Sequence, residues 1–303
     1  MFRRKEKFSV IFIVISLLFS STVSAEARGI QTKYPLNIVS AGFAANLPSK
    51  PVRIISLSPS ATEILFAINA GPQVLAVDDN SNYPNDIPKS DLSSFTPNVE
   101  AITAMKPDLV ILQVNANNAL NVRDSLAKLK IPVFVEPAAR NLNDTYREIR
   151  LLGKAVDKNK AAEKLVRDMK KRIAKTISES KAKKGMTFFH ELDNSLYTAT
   201  SKTFIGKVYR DFGLINVADA AIGADKSGYP QLSAEFLILS DPQIIFLANA
   251  QYGESKESVR ARPGWQSIAA VKNGRIIELP ADLPSRWGPR IADFYEFVSR
   301  SLN

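Results

Sequence analysis

Between Asn159 and Ser180 the apolar residues Ala162, Leu165, Val166, Met169, Ile173 and Ile177 recur at helical spacing, and the stretch holds no Gly or Pro. Lys164, Arg167, Lys171 and Lys175 fall mostly off that stripe and predict a solvated side. At about 1.5 Å per residue the helix is roughly 30–35 Å long, close to the width of a small domain. Elsewhere the apolar runs are of strand length. Arg53–Leu57, Val74–Val77, Leu109–Leu112 and Val133–Val135 precede the helix, and Thr187–Phe189, Ile244–Leu247 and Ile276–Leu279 follow it. Helical segments at Val99–Met105, Arg123–Leu129, Asp144–Ala155 and Phe204–Phe212 separate them. Such alternation predicts an α/β chain with parallel sheets covered on both faces. The expectation is two Rossmann-like lobes, 26–157 and 183–303, joined by a long helix within 158–182. An ordinary helix inside one large α/β domain is the alternative.

Local signals refine this outline. Leu36–Val39 and Phe43–Leu47 flank Ala41-Gly42 as a hairpin would. Ser60 and Glu63 have the spacing of a capping box ahead of Ile64, Leu65 and Phe66, which makes Glu63 a cap partner and not a functional acid. Gly71-Pro72 ends that helix and Gly213 caps another. The chain closes on an amphipathic helix from Pro289 to Leu302.

The chain also repeats itself. NVEAITAMKPDLVIL (98–112) and SAEFLILSDPQIIFL (233–247) align without a gap at an offset of 135 residues. Each holds a capping residue, a Glu at the second helical position, a short apolar helix, a Pro and a strand. Glu100 and Glu235 thus occupy matching places. Each complements the positive end of its helix. That alone does not account for the same acid at equivalent points of both halves, and two exposed carboxylates, one per lobe, suit a partner related by a two-fold axis.

Composition adds an address. Arg3, Arg4, Lys5 and Lys7 precede the apolar run Phe8–Phe19, and Val23-Ser24-Ala25 is a small-residue cleavage site. Residues 1–25 read as a signal peptide for export, a retained anchor being the alternative. The net charge of +10 comes from 40 basic and 30 acidic residues; without the leader it is 36 against 29, or about +7. No basic stripe interleaves with aromatics, so nucleic-acid binding is not expected. There is no cysteine, which excludes disulfides, thiolate metal sites, a cysteine nucleophile and a lipidated cysteine.

Catalysis finds little support. There is no G-x-S-x-G elbow, and a zinc site needs more than the single histidine, His190. Glu100 and Glu235 are better placed outside the lobes than as facing carboxylates of a glycosidase.

PVRIISLSPSATEILFAINAG, NVEAITAMKPDLVIL, IPVFVEP, YPQLSAEFLILSDPQIIFL and WGPRIADF, taken in order and spacing, resemble the substrate-binding proteins of ABC importers for cobalamin, ferric siderophores or haem. The resemblance runs from about Tyr34 to the C-terminus. It implies two lobes on one long helix, a ligand cleft between them, and permease docking through one Glu per lobe. By motif position those are Glu100 and Glu235. It also implies an extracytoplasmic monomer with no cofactor and no catalytic residue.

In parallel α/β lobes a ligand binds beyond the carboxyl ends of the strands. The candidate ligand residues are therefore Tyr83, Phe95 and Asn115 of the first lobe, with Asn80 and Asn117 on the same loops. The second lobe offers Glu191, Tyr197, Tyr229, Asn249, Asp282, Arg286 and Trp287, with Asp193, Tyr252 and Arg290 nearby. Aromatic faces and amides suit a large, flat, partly polar ligand. In cobalamin binders of the resembled family one aromatic precedes each docking Glu, here Phe95 and Tyr229. Cobalamin is the leading expectation. A ferric siderophore facing Arg286 and Arg290 is the alternative. Haem, which would want His190 or a Tyr as axial ligand, is less favoured.

Overall fold

The computed structural model describes residues 31–114, 118–221, 227–280 and 282–302. The predicted leader lies outside these residues, as do Asn115 and Asn117.

A hairpin of β1 (Leu36–Ser40) and β2 (Phe43–Leu47) opens the described chain. It turns through Ala41 and Gly42 at φ 50° and 81°, the two consecutive positive values of a tight hairpin turn. The first lobe follows as β3 (Ile54–Leu57), α1 (Pro59–Ala67), β4 (Val74–Val77), α2 (Val99–Ala104), β5 (Leu109–Gln113), α3 (Ala119–Lys128), β6 (Val133–Glu136) and α4 (Leu142–Ala155). Next comes α5 (Asn159–Glu179), the long helix predicted from its apolar stripe. The second lobe comprises β7 (Thr187–Glu191), α6 (Phe204–Asp211), β8 (Ile215–Asn216), α7 (Ala234–Ser240), β9 (Ile244–Leu247), α8 (Lys256–Ala261), α9 (Ala269–Lys272), β10 (Ile276–Glu278) and α10 (Ile291–Ser301).

Each lobe holds one four-stranded, wholly parallel sheet, in the orders β4-β3-β5-β6 and β10-β9-β7-β8. Counted from the first strand of each lobe, both sheets read second, first, third, fourth. The lobes are topological siblings. The repeated segment falls on α2–β5 in one and α7–β9 in the other.

Side-chain alternation along the strands divides the interior. Ile55, Leu57, Val110, Leu112, Val133 and Val135 face an outer layer covered by α2 and α3, while Phe189, Ile245 and Leu247 face its counterpart in the second lobe. The opposite faces, carrying Ile54, Ile111, Phe134, Phe188 and Phe246, share one continuous core with α1, α4, α5, α6 and α10. Ala162, Val166, Met169 and Ile173 of α5 are buried in that core. Burial of so much shared apolar surface makes α5 a stiff bridge.

α5 is not the sole connection. α10 packs along it, and Arg172 of α5 pairs with Glu296 and Asp293 of α10. Residues 282–290, leading into α10, cross onto the first lobe. There Thr145 Oγ1 donates to the Trp287 carbonyl at 2.9 Å. Asn82 Nδ2 donates to Asp282 Oδ2 at 2.6 Å, and Arg286 Nη2 to the Asn80 carbonyl at 3.2 Å. A Cβ on Gly288 would come within 3.1 Å of the Ser60 carbonyl, so the crossing backbone lies close against α1. Lys207 Nζ of α6 also donates to the Arg140 carbonyl, at 2.8 Å.

The capping box does not form as predicted. α1 starts two residues earlier, with Ser58 as N-cap accepting from the Ala61 amide at 3.3 Å. Pro59, which lacks an N–H, occupies the first helical position, where none is needed. Glu63 is thereby freed from capping. It is buried and accepts from Arg290 Nε and Nη2, at 3.0 and 2.5 Å.

Candidate functional site

The carboxyl ends of both sheets converge on a cavity of about 440 Å³ walled by both lobes. On the first lobe its wall comes from Ser58 after β3, Asn80 after β4, Gln113 at the end of β5 and Glu136 at the end of β6. Ser94, Phe95 and Glu148 of α4 complete that side. The second lobe contributes Gln251 and Tyr252 after β9, then Asp282, Ser285, Arg286 and Trp287 from the crossing segment. β3 and β5 are the adjacent strands whose connections run to opposite sides, the switch point where open parallel sheets leave a crevice. Larger concavities, of about 910 and 840 Å³, lie against residues 157–161 and along the hairpin edge. Neither is lined by residues of the second lobe.

Of the predicted ligand residues, Phe95, Asp282, Arg286 and Trp287 line this cavity. Phe95 is 57% exposed and Tyr252, from the opposite lobe, 82%. Trp287 is half-buried, its ring tilted at 51° to that of Phe204 with centroids 5.7 Å apart, and donates from Nε1 to the Pro284 carbonyl at 3.2 Å. Asp282 pairs with Arg286 at 3.0 Å and so neutralises it, although Arg286 Nε finds no partner.

The remaining candidates are elsewhere. Glu191 is fully buried beneath Arg262, which grips both its oxygens at 2.6 Å, and Asn249 Nδ2 donates to it at 2.9 Å. Arg262 in turn lies 4.4 Å over the Trp265 ring. Both Glu191 and Asn249 therefore serve the interior of the second lobe and not a ligand: a strand-end carboxylate enclosed by the fold needs a counterion, and Arg262 supplies it. Tyr83 is not on the cavity wall; it sits beside α5, its ring 4.7 Å from the Arg290 guanidinium. Tyr197 is exposed and bridges to Gln231, and Tyr229 packs partly buried against the shared core; neither lines the cavity. His190 is fully enclosed, its Nδ1 2.9 Å from the Tyr209 hydroxyl, and burial pushes its pKa down to about 3. It is a neutral core histidine with no access to a haem iron.

Sequence reasoning missed Gln113, Glu136, Glu148 and Gln251. Glu136 was findable, since IPVFVEP puts a carboxyl at the end of a buried strand. Glu148 lies within an amphipathic helix and gave no such sign.

Glu100 and Glu235 stand at the second positions of α2 and α7, both exposed. The Asn98 side chain accepts from the Ala101 amide and the Ser233 side chain from the Phe236 amide. Backbone and Ser233 hydrogen bonds at the helix start hold the Glu235 carboxyl below its ordinary range. Among the described residues no helix is long and apolar enough to cross a membrane, and no cluster of acidic or histidine side chains is arranged to hold a metal.

Fold and site together define a two-lobed binding protein with a ligand crevice at paired sheet ends. A family model described as "Periplasmic binding protein" matches residues 54–283. The "Uncharacterized ABC transporter substrate-binding lipoprotein YvrC" of Bacillus subtilis (strain 168) is 31% identical over 268 residues, covering 84% of this chain and 81% of that protein. Among solved structures, a possible iron-binding (periplasmic solute-binding) protein from Staphylococcus epidermidis superimposes with a TM-score of 0.73 at 29% identity, covering 84% of this chain and 99% of the other. The periplasmic vitamin B12 binding protein BtuF of Vibrio cholerae gives 0.65 at 26% identity, covering 84% and 98%. The chain belongs to the periplasmic binding protein family. It is the extracytoplasmic solute-binding component of an ABC importer, of the class III kind, related to vitamin B12-binding and cobalamin-binding proteins. It is a non-catalytic transport component that works with a membrane permease.

Proposed function

We propose that this chain, a binder of a metal-chelate-type ligand, captures a cobalamin-like corrinoid between its lobes and presents it to the permease through Glu100 and Glu235. One observation carries the reading. Phe95 and Tyr252, large aromatic side chains exposed without partners, line one cavity from opposite lobes. Aromatic faces on two sides of a slot suit a broad, flat ligand. Besides the Glu136 and Glu148 carboxyls, the cavity walls offer Ser, Asn and Gln groups and a self-neutralised Arg286–Asp282 pair, matching a ligand rich in amides and without dense negative charge. The volume of about 440 Å³ lies low in the range of roughly 300–1,000 Å³ for small-molecule sites, so a corrinoid would be gripped by part of its surface. The relatedness to vitamin B12-binding proteins supports the same ligand. Docking through Glu100 and Glu235 rests on their exposure at equivalent positions of two sibling lobes.

A ferric siderophore is the second reading, favoured by the unpartnered Arg286 Nε on the cavity wall. The test is titration of the exported protein with cyanocobalamin, a hydroxamate siderophore, a catecholate siderophore and haemin, read by tryptophan fluorescence. Trp287 lines the cavity, so cyanocobalamin is expected to quench saturably. Saturable quenching by a siderophore with none by cyanocobalamin replaces the first reading with the second.

A further inference from the structure

Glu136 and Glu148 form part of the cavity wall, 6% and 4% exposed. Glu136 ends β6 and Glu148 projects from α4. Their carboxyls are neighbours, with the Ser58 side chain beside Glu136 on the same wall. Oε1 of Glu148 is buried with no partner.

Among the described residues no cation pairs with either carboxyl. Asp78, facing it from the end of β4, is itself buried and bonded to the Asn80 amide and the Ser81 hydroxyl. Asp144, on α4, is engaged by Arg140 and Arg147. Arg286, on the crossing segment, is paired with Asp282. Burial raises both carboxyls; repulsion from Asp78 adds to it at Glu136, and repulsion from Glu136 lifts Glu148 well above the ordinary range. Two enclosed carboxyls in contact cannot both ionise without a counterion, so they hold one proton between them.

A shared proton closes the contact between the two side chains and leaves Glu148 Oε1 as an acceptor with part of a negative charge. Hydrogen bonds to a charged acceptor are roughly twice as strong as neutral ones. An anionic ligand is opposed by the pair itself, whereas a neutral amide N–H is not, and the Ser, Asn and Gln groups of the surrounding wall suit an amide-bearing rim.

We propose that the Glu136–Glu148 pair is a recognition subsite for a primary carboxamide on the rim of the ligand, whose N–H donates to Oε1 of Glu148. The inference rests on the corrinoid reading for the identity of the ligand.

Calorimetric titration with cyanocobalamin at a series of pH values rising from the ordinary carboxyl range tests it, since a raised carboxyl sheds its proton above that range. Wild-type affinity is expected to rise several-fold as the shared proton is lost, because Oε1 then carries a full charge toward the amide N–H. Glu148→Gln freezes the singly protonated arrangement, its amide donating to Glu136 and its carbonyl left as acceptor. Its affinity is expected to stay near the low-pH wild-type value and to be flat with pH. Glu148→Met fills the space without an acceptor and is expected to lose roughly tenfold to a hundredfold. Should Glu148→Met fail to fold, the Glu148→Gln profile still decides. Equal pH slopes for wild type and Glu148→Gln, or wild-type affinity in a folded Glu148→Met, overturn the subsite and leave the corrinoid reading intact. Wild type that binds no cyanocobalamin overturns both. Preferred binding of an ammonium-bearing hydroxamate siderophore, lost in Glu148→Met, overturns the carboxamide assignment.

Discussion

Arg290 donates from Nε and Nη2 to the same oxygen of Glu63, joining the start of α10 to α1 on the other lobe. The Glu63 side chain is 2% exposed and that of Arg290 16%. Burial raises the Glu63 carboxyl more than Arg290 lowers it, so the acid depends on its partner. Removing one member of such a buried pair costs about 3–5 kcal/mol, because the other is left uncompensated. Arg290→Met is expected to destabilise by about that amount in urea unfolding. Glu63→Gln should cost less, since its amide oxygen still accepts from the guanidinium. Equal stability of Arg290→Met and wild type would show that the crossing segment does not hold the lobes.

The same logic separates two roles for Glu191. With Arg262 on both its oxygens, it braces the second lobe from inside. Arg262→Met is expected to lower stability by about 3–5 kcal/mol while leaving ligand affinity within about two-fold in the folded fraction. A large loss of affinity without loss of stability would return Glu191 to the ligand site.

The lobes and the long helix were legible because their signals are periodic and local. Apolar runs marked six of the eight strands of the two sheets in full or nearly so, and the α5 stripe matched its buried face. β8 escaped because Ile215–Asn216 is too short for any pattern. The site was less legible for a physical reason. Strand ends can be located from sequence, but whether the residue there faces a crevice or a buried counterion depends on contacts distant in the chain. Glu191 and Arg262 are 71 residues apart, and Glu63 and Arg290 are 227 apart. Ser60-x-x-Glu63 misled in the same way: the capping spacing was real, but Ser58 won the cap and Arg290 took the acid.

pH should act on stability through the buried carboxyls even without ligand. Glu136 and Glu148 are both raised on folding. A raised acid contributes stability that is full below the ordinary carboxyl range and lost as pH rises through its folded value. Glu296, lowered chiefly by Arg172, acts in the opposite sense: its contribution is present above the ordinary range and lost on acidification. The two are separable with Glu148→Gln. The melting temperature of the variant relative to wild type is expected to climb as pH rises above the ordinary carboxyl range, because wild-type Glu148 must there either keep its proton or ionise while buried. Parallel melting curves across that span would mean that Glu148 is ionised or solvated in the folded protein.

Phe95 and Tyr252 should matter to binding and not to folding. Both rings are largely exposed in the unliganded protein, so truncation removes little buried surface. Aromatic stacking contributes about 0.5–1.5 kcal/mol beyond area, or roughly two- to tenfold in affinity. Phe95→Ala and Tyr252→Ala are each expected to weaken cyanocobalamin by that factor with unchanged melting temperature, whereas Tyr83→Ala, remote from the cavity wall, should leave affinity alone. An affinity loss confined to Tyr83→Ala would move the ligand to the far side of the crossing segment.

Glu100 and Glu235 offer the sharpest separation of capture from delivery. Neither touches the cavity, and each stands exposed at the start of a helix whose cap is made by another residue, Asn98 or Ser233. Reversing both charges should therefore spare the ligand site. Opposed charges on a docking surface govern encounter and register, and like charges there cost several kcal/mol. Glu100→Lys/Glu235→Lys is expected to bind cyanocobalamin as wild type does and to abolish uptake into cells carrying the cognate permease, with each single variant intermediate. Raised salt should weaken wild-type delivery in parallel, because exposed ion pairs are screened over about 8–10 Å. Full uptake by the double variant would remove both acids from the docking surface, and loss of ligand affinity together with uptake would tie them to the cleft instead.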